Sequence, residues 1–590
     1  MTAVRAALVL DDELRAEANA RGENYWPLYA QEVLRRVGLP FEVIALSDLT
    51  PERLDDLRIV ILSALPDGRL ARAQIEALTA WVEAGGLLIG FATEGLDDLF
   101  GVTVEDVIDH AGDEFTPAAC ISLEDEAWTA QLLSPFERST ALPVIAPVKV
   151  ISAPGCRELA RLRSFFEQNL DRPAVTWREV GEGAACWWAF DLAECLWKMQ
   201  QGRPVYEDYD GDGKLRTMDM VTTRPWPGDV PYGDLMSFVL RRVLAEAGAV
   251  FLHQLPPAPD GSVPDLLLHW GGDDEGATDV QVPAAEFMVA MGLPYHINIM
   301  QSPVGTHPFP RAGFERLREL GCECSIHFNF ITEVEHPHRF TRQELSEQLD
   351  TYLAAYGEMP VCTVFHWVSW TGWAEPARWL AELGLKGDND RIHWRYPPLN
   401  PVNKVAFAFG TAYPSHYWDD AAHANARIDF VAVPITAYEV GYLRDVGMEP
   451  SQLHRAIELG GSWNLTMSLF HHPIYLLAEE TRDAVRECLA HIERLGLNAL
   501  HMGTDEACLW WHARDASAIE SVERAGDGIV AQVRCAWEHG CVLQMLAPEG
   551  EVVASVNGGT IKAPVREQHG ARWLYVAVPC GESVVQVRSV

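Results

Sequence analysis

The sequence is short of positive charge and has no long apolar run. Its 590 residues include 46 lysines and arginines against 84 aspartates and glutamates, a formal net charge of −38. This excess of negative charge excludes nucleic acid and anionic membranes as favoured partners. No stretch reaches the roughly 20 apolar residues that a transmembrane helix needs. The short apolar run after Met1 ends in Asp11 and Asp12 without a cleavage-type sequence, so no signal peptide is expected.

Paired cysteine spacings are also absent. The twelve cysteines are scattered along the chain, and Cys322 and Cys324 are closer together than the usual zinc-binding pair. Scattered cysteines in a chain with no expected signal peptide favour reduced, mostly buried thiols and a cytoplasmic protein.

Residues 1–252 alternate between short apolar strands and amphipathic helices. Strand-like runs occupy residues 5–10, 57–62 and 87–91, and residues 71–84 have helical periodicity. This alternation predicts an N-terminal doubly wound α/β domain with a parallel sheet.

This first domain resembles the class I glutamine-amidotransferase-like fold in its order of elements and in the turn Gly85-Gly86-Leu87-Leu88-Ile89-Gly90. The resemblance implies a cysteine nucleophile in a sharp elbow after that strand, but the chain has Phe91-Ala92-Thr93 there. Amidotransferase chemistry is therefore not expected. We expect a scaffold, an oligomerisation surface or a wall of a sugar cleft, and a homo-oligomer would be consistent with such a domain.

An acidic loop in the first domain has the spacing of a calcium-binding loop. Aspartates occupy the first, third, fifth and twelfth positions of residues 208–219, and glycine occupies the sixth. Carboxylates alternating in this way can converge on one hard cation. The predicted calcium ligands are Asp208, Asp210, Asp212, Lys214 and Asp219. A solvated acidic turn that binds no cation is the alternative.

A proline-rich stretch between residues 253 and 265 separates the first domain from the rest of the chain. Residues 264–515 contain about seven or eight strand–helix units, which predict a central (β/α)7–8 barrel with its active site at the carboxyl ends of the strands. Residues 516–590 consist of short alternating strands and predict a C-terminal antiparallel β-sandwich. The predicted fold class is therefore multidomain α/β.

Polar residues recur at the predicted strand ends of the barrel. Asp273 and Asp274 follow the first strand inside the glycine-bounded run 271–276, where two adjacent carboxylates can divide proton transfer and metal binding. Later strand ends supply His296, Asn298, His327, Asn329, His366, His471, His472 and His501. A carboxylate with two or three imidazoles suits zinc or a similar divalent transition metal, which polarises a carbonyl and activates water. Two alternatives remain open: the aspartates could begin a helix, and His327 could be a core histidine.

These residues resemble the NodB-like polysaccharide deacetylase family across residues 264–515. The family's acidic motif after the first strand is matched by Gly271-Gly272-Asp273-Asp274-Glu275, and its late L-x-H motif by Leu469-Phe470-His471. The resemblance implies that Asp273 is the catalytic base, that Asp274 and His327 bind the metal, and that His471 protonates the leaving group.

The sequence departs from the family pattern at two positions. The second histidine of the family's H-[ST]-x-x-H motif falls on Ile331, and His366-Trp367 stands where an arginine–proline motif is expected. We therefore expect either a rebuilt metal site, in which Asn329, His366 or His472 supplies the missing ligand, or a barrel without metal.

Several of the chain's 20 tryptophans lie in polar surroundings, where an exposed ring can stack on a sugar. The predicted substrate-binding tryptophans are Trp367, Trp370, Trp373 and Trp394. The leading interpretation is a metal-dependent carbohydrate-active hydrolase, most simply a polysaccharide or oligosaccharide deacetylase. A glycoside hydrolase or lyase on the same barrel would use Asp273 and Glu275 as its acid–base carboxylates. A non-catalytic carbohydrate-binding or assembly protein is the third possibility.

Overall fold

The fold, taken from a computed structural model, divides into two compact units. The first unit consists of Met1–Gln200, Tyr232–Val263 and Ala513–Val590, and the second of Gln201–Pro231 and Pro264–His512. The described residues are 2–125, 127–133, 140–224, 226, 228–274, 277–301, 308–331, 339–392, 405–441, 450–525 and 528–589. The sequence analysis placed residues 201–231 in the first domain, whereas the structure groups them with the barrel strands.

The first unit opens with a run of alternating strands and helices. Its helices are α1 (Asp12–Ala20), α2 (Ala30–Val37), α3 (Pro51–Leu54), α4 (Arg72–Glu83), α5 (Asp97–Phe100), α6 (Leu192–Gln200) and α7 (Tyr232–Glu246). Its strands are β1 (Thr2–Ala3), β2 (Ala6–Leu10), β3 (Glu42–Ala45), β4 (Ile59–Ser63), β5 (Leu87–Phe91), β6 (Thr103–Ile108), β7 (Ala119–Leu123), β8 (Leu142–Val144), β9 (Val148–Ser152), β10 (Arg157–Ser164), β11 (Asn169–Val180), β12 (Gly183–Trp188) and β13 (Phe251–Leu252).

Nine of these strands form one mixed sheet in the order β3-β2-β4-β5-β12-β11-β10-β7-β8. The five strands from β3 to β12 are parallel, as the alternation of strands and helices predicted. The remaining four extend the sheet in antiparallel fashion. The sequence analysis missed this extension because charged residues interrupt the apolar pattern of β10 and β11.

The second unit contains a mostly parallel sheet with helices between its strands. Its strands are β14 (Leu266–Asp273), β15 (His296–Met300), β16 (Glu323–Phe328), β17 (Cys362–Phe365), β18 (Gly387–Arg391), β19 (Ser415–Trp418), β20 (Arg427–Pro434), β21 (Ala437–Tyr438), β22 (Thr466–Phe470) and β23 (Ala499–Gly503). Its helices are α8 (Gln281–Ala290), α9 (Arg311–Glu319), α10 (Arg342–Tyr356), α11 (Glu375–Leu383), α12 (Pro450–Trp463), α13 (Glu479–Leu495) and α14 (Thr504–Ala516), the last of which continues into the first unit.

The strand order of this sheet is β19-β20-β18-β17-β16-β15-β14-β22-β21, and β23 also pairs with β14. Among the described residues, no strand pairing joins β19 to β21, so the predicted barrel is present as a partial one. Among the described strands of this sheet, only β19 runs antiparallel to its neighbour. The carboxyl ends of the parallel strands therefore meet at one edge, where such folds place their functional residues.

The central strand β14 explains how the acidic run reaches that edge. All eight of its residues are buried, as expected for a strand covered on both faces. Gly272 allows the neighbouring chain to come close, since a Cβ there would lie 2.0 Å from the His471 carbonyl oxygen. Gly272, directly before Asp273, thus lets the ends of β14 and β22 approach each other.

The C-terminal residues of the chain belong to the first unit. Their strands are β24 (Ala518–Ala525), β25 (Gly528–Cys535), β26 (Cys541–Leu546), β27 (Val552–Val556), β28 (Gly559–Ile561), β29 (Val565–Gln568), β30 (Ala571–Val578) and β31 (Gly581–Ser589). They form two antiparallel sheets, in the orders β1-β24-β25-β31-β27-β28 and β13-β26-β30-β29. Each sheet takes one short strand from the earlier part of the unit, so residues 516–590 do not complete these sheets by themselves.

All twelve cysteines have free thiols. In the described part of the chain, no helix has both the length and the apolar character needed to cross a bilayer.

Candidate functional site

The candidate site lies at the carboxyl edge of the second unit's sheet. Strand register fixes its main residues: Asp273 pairs with Asn298 across β14 and β15, and His327 pairs with Met300 across β15 and β16. His366 and His472 follow the ends of β17 and β22. Residues that lie far apart in sequence are therefore brought to one edge by parallel pairing alone.

His472 makes two short charged contacts at this edge, one with Asp273 and one with Glu439. His472 Nε2 lies 2.7 Å from Asp273 Oδ1, and the other ring nitrogen, Nδ1, lies 2.5 Å from Glu439 Oε1. The three side chains are almost fully buried. One imidazole thus lies between two carboxylates, and its contact with Glu439 fixes the orientation of the ring.

Electrostatics keeps this pair charged. Burial disfavours the charged form of His472, but Asp273, Tyr438 and Glu439 outweigh it and raise the pKa of His472 well above its ordinary value. Burial also disfavours the charged form of Asp273, but the imidazoles of His327 and His472 bring the pKa of that carboxyl well below its ordinary value. Both shifts favour an ionised carboxylate beside an imidazolium.

A second imidazole pair stands on the other side of Asp273. His327 Nε2 lies 3.7 Å from Asp273 Oδ2 and 3.3 Å from His366 Nδ1. His327 Nδ1 lies 2.9 Å from the Val364 carbonyl oxygen, which fixes the orientation of the ring. Both predicted histidines are thus at the site, with Nε2 of His327 directed toward Asp273.

The Asp273–His472 pair opens into a cavity of about 320 Å³. Its apolar walls come from Val364, Phe365, Val368, Ile392, Ile435 and Phe470, and its polar rim includes Asp212, Lys214, Arg216, Trp367 and Tyr438. A mostly apolar cavity with a few convergent polar groups is the usual form of a small-molecule site. Residues 212–218, which sequence analysis placed in another domain, form part of its wall.

The rim loop after β17 is held in an uncommon conformation. Trp367 and Val368 have φ angles of 58° and 49°, a region that costs side-chain-bearing residues energy. The loop is fixed against the neighbouring 215–216 segment, where Arg216 pairs with Ser369 and the Trp370 N–H donates to the Leu215 carbonyl at 3.2 Å. This conformation leaves the Trp367 side chain 42% exposed at the rim.

Asp274 does not point its carboxylate at the histidines. Its Oδ1 accepts the Met300 N–H at 2.9 Å and its Oδ2 accepts Gln281 Nε2 at 3.0 Å. With both oxygens engaged by these donors, Asp274 ties β15 and α8 to the end of β14. The carboxylate beside His327 is that of Asp273.

His471 and Asn329 are also placed away from the cavity. The His471 ring stacks on Trp270 at 6.5 Å, and its Nδ1 lies 3.9 Å from Glu439 Oε2. The side-chain oxygen of Asn329 accepts the Ile331 N–H at 3.2 Å, so it closes a local turn. Of the two adjacent histidines, His472 is the one that contacts Asp273 and lines the cavity.

The predicted tryptophans separate into one rim residue and two core residues. Trp367 lines the cavity, whereas Trp370 is fully buried and stacks on Tyr417 at 5.7 Å. Trp373 is also buried and donates to the Gly202 carbonyl at 2.8 Å. The prediction that Trp370 and Trp373 present their faces to sugar is therefore wrong, since neither face is accessible. The predicted residues Trp394 and Glu275 lie outside the described residues.

The acidic loop 208–219 keeps only part of the predicted calcium pattern. Ligand-type oxygens of Asp208, Asp210 and Asp219 lie within 4.8 Å of one another. Asp212 pairs instead with Arg216, and the Lys214 side chain extends to Trp367. Calcium binding by this loop stays a prediction, and the loop's visible role is to form one wall of the cavity.

The metal triad of the deacetylase pattern does not fit this edge. Asp274 is engaged elsewhere, and Ile331 has no ligand atom. Within the described residues, the groups of ligand-type side chains whose atoms lie within 4.8 Å of one another are found elsewhere: His416–Asp429–His512, His296–Glu323–Asp505, Asp419–Asp420–His423 and Asp208–Asp210–Asp219.

Sequence reasoning did not identify Glu439 as a site residue, and it did not place Lys214 at the rim of the cavity. Glu439 follows the two-residue strand β21, which is too short to give a periodic signal. Its one signal is an acid directly after an apolar–aromatic pair at a strand end. The position of Lys214 at the cavity was not recognised because the calcium-loop pattern explained the whole segment 208–219.

No protein-family model and no curated protein matches the chain. Among solved structures, it is similar to a β-galactosidase from Rahnella sp. R3, with 20% identity over 32% of this chain and 29% of that chain and a TM-score of 0.25. It is also similar to a β-galactosidase from Bacillus circulans sp. alkalophilus, with 16% identity over 33% of this chain and 30% of that chain and a TM-score of 0.25. Puue allantoinase gives 12% identity over 44% of this chain and 94% of that chain, with a TM-score of 0.28. The chain thus spans about 30% of the length of these β-galactosidases, and such low TM-scores assign no activity.

Proposed function

We propose that the second unit is a carbohydrate-active hydrolase whose acid–base pair is Asp273 and His472. The observation that carries this proposal is the 2.7 Å contact between an ionised carboxylate and an imidazolium at the wall of a substrate-sized cavity. A base and an acid side by side are what hydrolysis needs, because one removes a proton from water while the other protonates the leaving group.

In this mechanism Asp273 accepts a proton from the attacking water and His472 delivers one to the leaving group. The pKa of Asp273 is low mainly because imidazoles adjoin the buried carboxyl. A water or substrate oxygen that enters between Asp273 and His472 weakens that contact and raises the proton affinity of the carboxylate. Glu439 holds His472 through Nδ1, so the acid keeps its orientation during the transfer.

The charges at the cavity favour acyl hydrolysis over cleavage of a glycosidic bond. Glycosidases generally need two carboxylates facing the same bond. Here the cavity presents Asp273 as its one carboxylate not paired with arginine among the described residues, because Asp212 pairs with Arg216. Glu439 is separated from Asp273 by the His472 ring. We therefore favour a deacetylase-type reaction on an acylated sugar, with Trp367 as the exposed aromatic face for the ring.

Product analysis tests this proposal. Purified protein is incubated with acetylated xylo-oligosaccharides and chito-oligosaccharides, and both free acetate and new reducing ends are quantified. Acetate without reducing ends is the expected result. Reducing ends without acetate would move the assignment to a glycosidase, and the absence of both products would contradict the proposed reaction.

A further inference from the structure

The rim of the cavity carries one cation that is not paired with an acid. The Lys214 ammonium lies 3.3 Å from the centroid of the Trp367 ring, and among the described residues it has no carboxylate partner. Cation–π contact with an exposed indole compensates an ammonium only in part.

The other cations of the described cavity wall are paired with acids. Arg216 pairs with Asp212, and His472 pairs with Asp273. Lys214 is therefore the one cation of the described cavity wall without a carboxylate partner, in a protein whose formal net charge is −38. The general negative field is screened beyond about 8–10 Å at physiological ionic strength, so this lysine acts at contact distance.

The position of Lys214 is defined by its surroundings. Its backbone N–H donates to Asp212 Oδ1 at 2.9 Å, inside the turn-rich acidic loop. The next residues pair with the loop that carries Trp367 in its uncommon conformation. Two segments distant in sequence thus hold an ammonium and an indole together at the rim, with the opening of the cavity beside them.

From this arrangement we propose that the substrate is an anionic carbohydrate, whose carboxylate or sulfate substituent binds Lys214 while its acyl group reaches Asp273 and His472. This inference rests on the proposed function and names the substrate class for the same cavity. An ammonium recognises either anion as a point charge, and the sugar ring supplies the apolar surface that Trp367 and the cavity wall can contact.

Titration calorimetry with three probes tests the inference by binding alone. The probes are a galacturonate trisaccharide, its neutral methyl ester and a sulfated neutral trisaccharide. At least one anionic probe is expected to bind about tenfold more tightly than the methyl ester, a ratio equivalent to about 1.4 kcal/mol. The anionic probe that binds better identifies carboxylate or sulfate as the group recognised.

Two variants assign the selectivity to Lys214. Lys214→Gln is expected to bind the anionic and neutral probes equally, whereas Lys386→Gln is expected to keep the wild-type ratio. Lys386 is a matched control because it loses the same charge from the same unit, at a site where it pairs with Asp429. Selectivity that persists in Lys214→Gln would overturn the inference, as would equal or undetectable binding of all probes by the wild-type protein.

The outcomes separate this inference from the proposed function. Selective binding without any hydrolysis would support the anion site and contradict the hydrolase. Hydrolysis of neutral acetylated sugars that is unchanged in Lys214→Gln, with no anion selectivity, would support the hydrolase and contradict the anion site.

Discussion

At the scale of single residues, the site is organised around His472 and not around His471. Two adjacent histidines at the end of a strand point to opposite sides, so only one of them can face the cavity. The sequence pattern identified the correct strand end but could not decide which of the two faces Asp273. His472 is held toward Asp273 by Glu439, which follows a different strand, β21.

Glu439 is predicted to set the working pH of the acid. Its carboxylate helps to raise the pKa of His472, so Glu439→Gln lowers that pKa and the protonated acid is lost at lower pH. We expect the alkaline limb of the pH–rate profile to move to lower pH. Glu382→Gln, on the exposed surface of α11, is the control and should leave the profile unchanged. An unmoved alkaline limb in Glu439→Gln would show that Glu439 does not act on the acid.

His296 provides a residue-scale prediction about stability. Burial disfavours its charged form, but Asp505 and Glu323 outweigh this and raise the pKa of His296 to about 10. The raised pKa means that the charged ring stabilises the fold fully below the unfolded-state pKa of about 6.5, and that this stabilisation is lost as pH rises through about 10.

His296→Gln is therefore expected to lower the free energy of unfolding at pH 6 by roughly 3–5 kcal/mol, because the buried Asp505 and the partly buried Glu323 lose their cation. The deficit should shrink as the pH approaches the folded-state pKa. Denaturant unfolding at several pH values measures it, with the exposed His423→Gln as the control. A deficit that does not depend on pH would contradict the ion-pair explanation.

At the scale of elements, the close approach of β14 and β22 sets the distance between base and acid. Gly272 lies against the His471 carbonyl. Gly272 directly precedes Asp273 in the sequence, and His471 directly precedes His472. Any side chain at this position must push the two strands apart, because the contact is with backbone and not with a flexible side chain.

Gly272→Ala is expected to lower the free energy of unfolding by roughly 1–3 kcal/mol, the range typical of overpacking. It should also reduce activity, because separation of the strands lengthens the Asp273–His472 contact. Thermal unfolding and initial rates measure the two effects. Gly559→Ala is the control, since the nearest atom to a Cβ there is 3.5 Å away. Wild-type stability and rate in Gly272→Ala would contradict this role for the glycine.

Elements with strong local patterns were predicted well, and elements defined by long-range pairing were not. The apolar run of β14 and the helix α10, with its Thr341–Glu344 capping box, can be recognised from adjacent residues. By contrast, β10 and β11 carry many charged residues, and their place in the sheet depends on partners elsewhere. For the same reason the sequence predicted Asp273 and His327 as site residues but not Glu439.

At the scale of the whole molecule, the two units are not contiguous in sequence. Residues 201–231 lie inside the first unit's segments but belong to the second unit, where they form a wall of the cavity. The proline-rich stretch can be recognised from its composition. Composition cannot reveal that residues 201–231, which precede this stretch, belong with the sheet that follows it. Sequence reasoning therefore placed Lys214 and Arg216 with the first domain, because their contacts with the later sheet leave no mark in the local sequence.

The rate of hydrolysis in Asp273→Asn tests the central claim most directly. Asparagine keeps the size of the side chain but removes the charge that accepts a proton and supports His472. Acetate release from acetylated oligosaccharides is predicted to fall by roughly 100-fold or more, the usual contribution of a general base. Asp429→Asn, at an exposed position on β20, is predicted to keep the wild-type rate. A wild-type rate in Asp273→Asn would contradict the assignment of Asp273 and His472 as the acid–base pair.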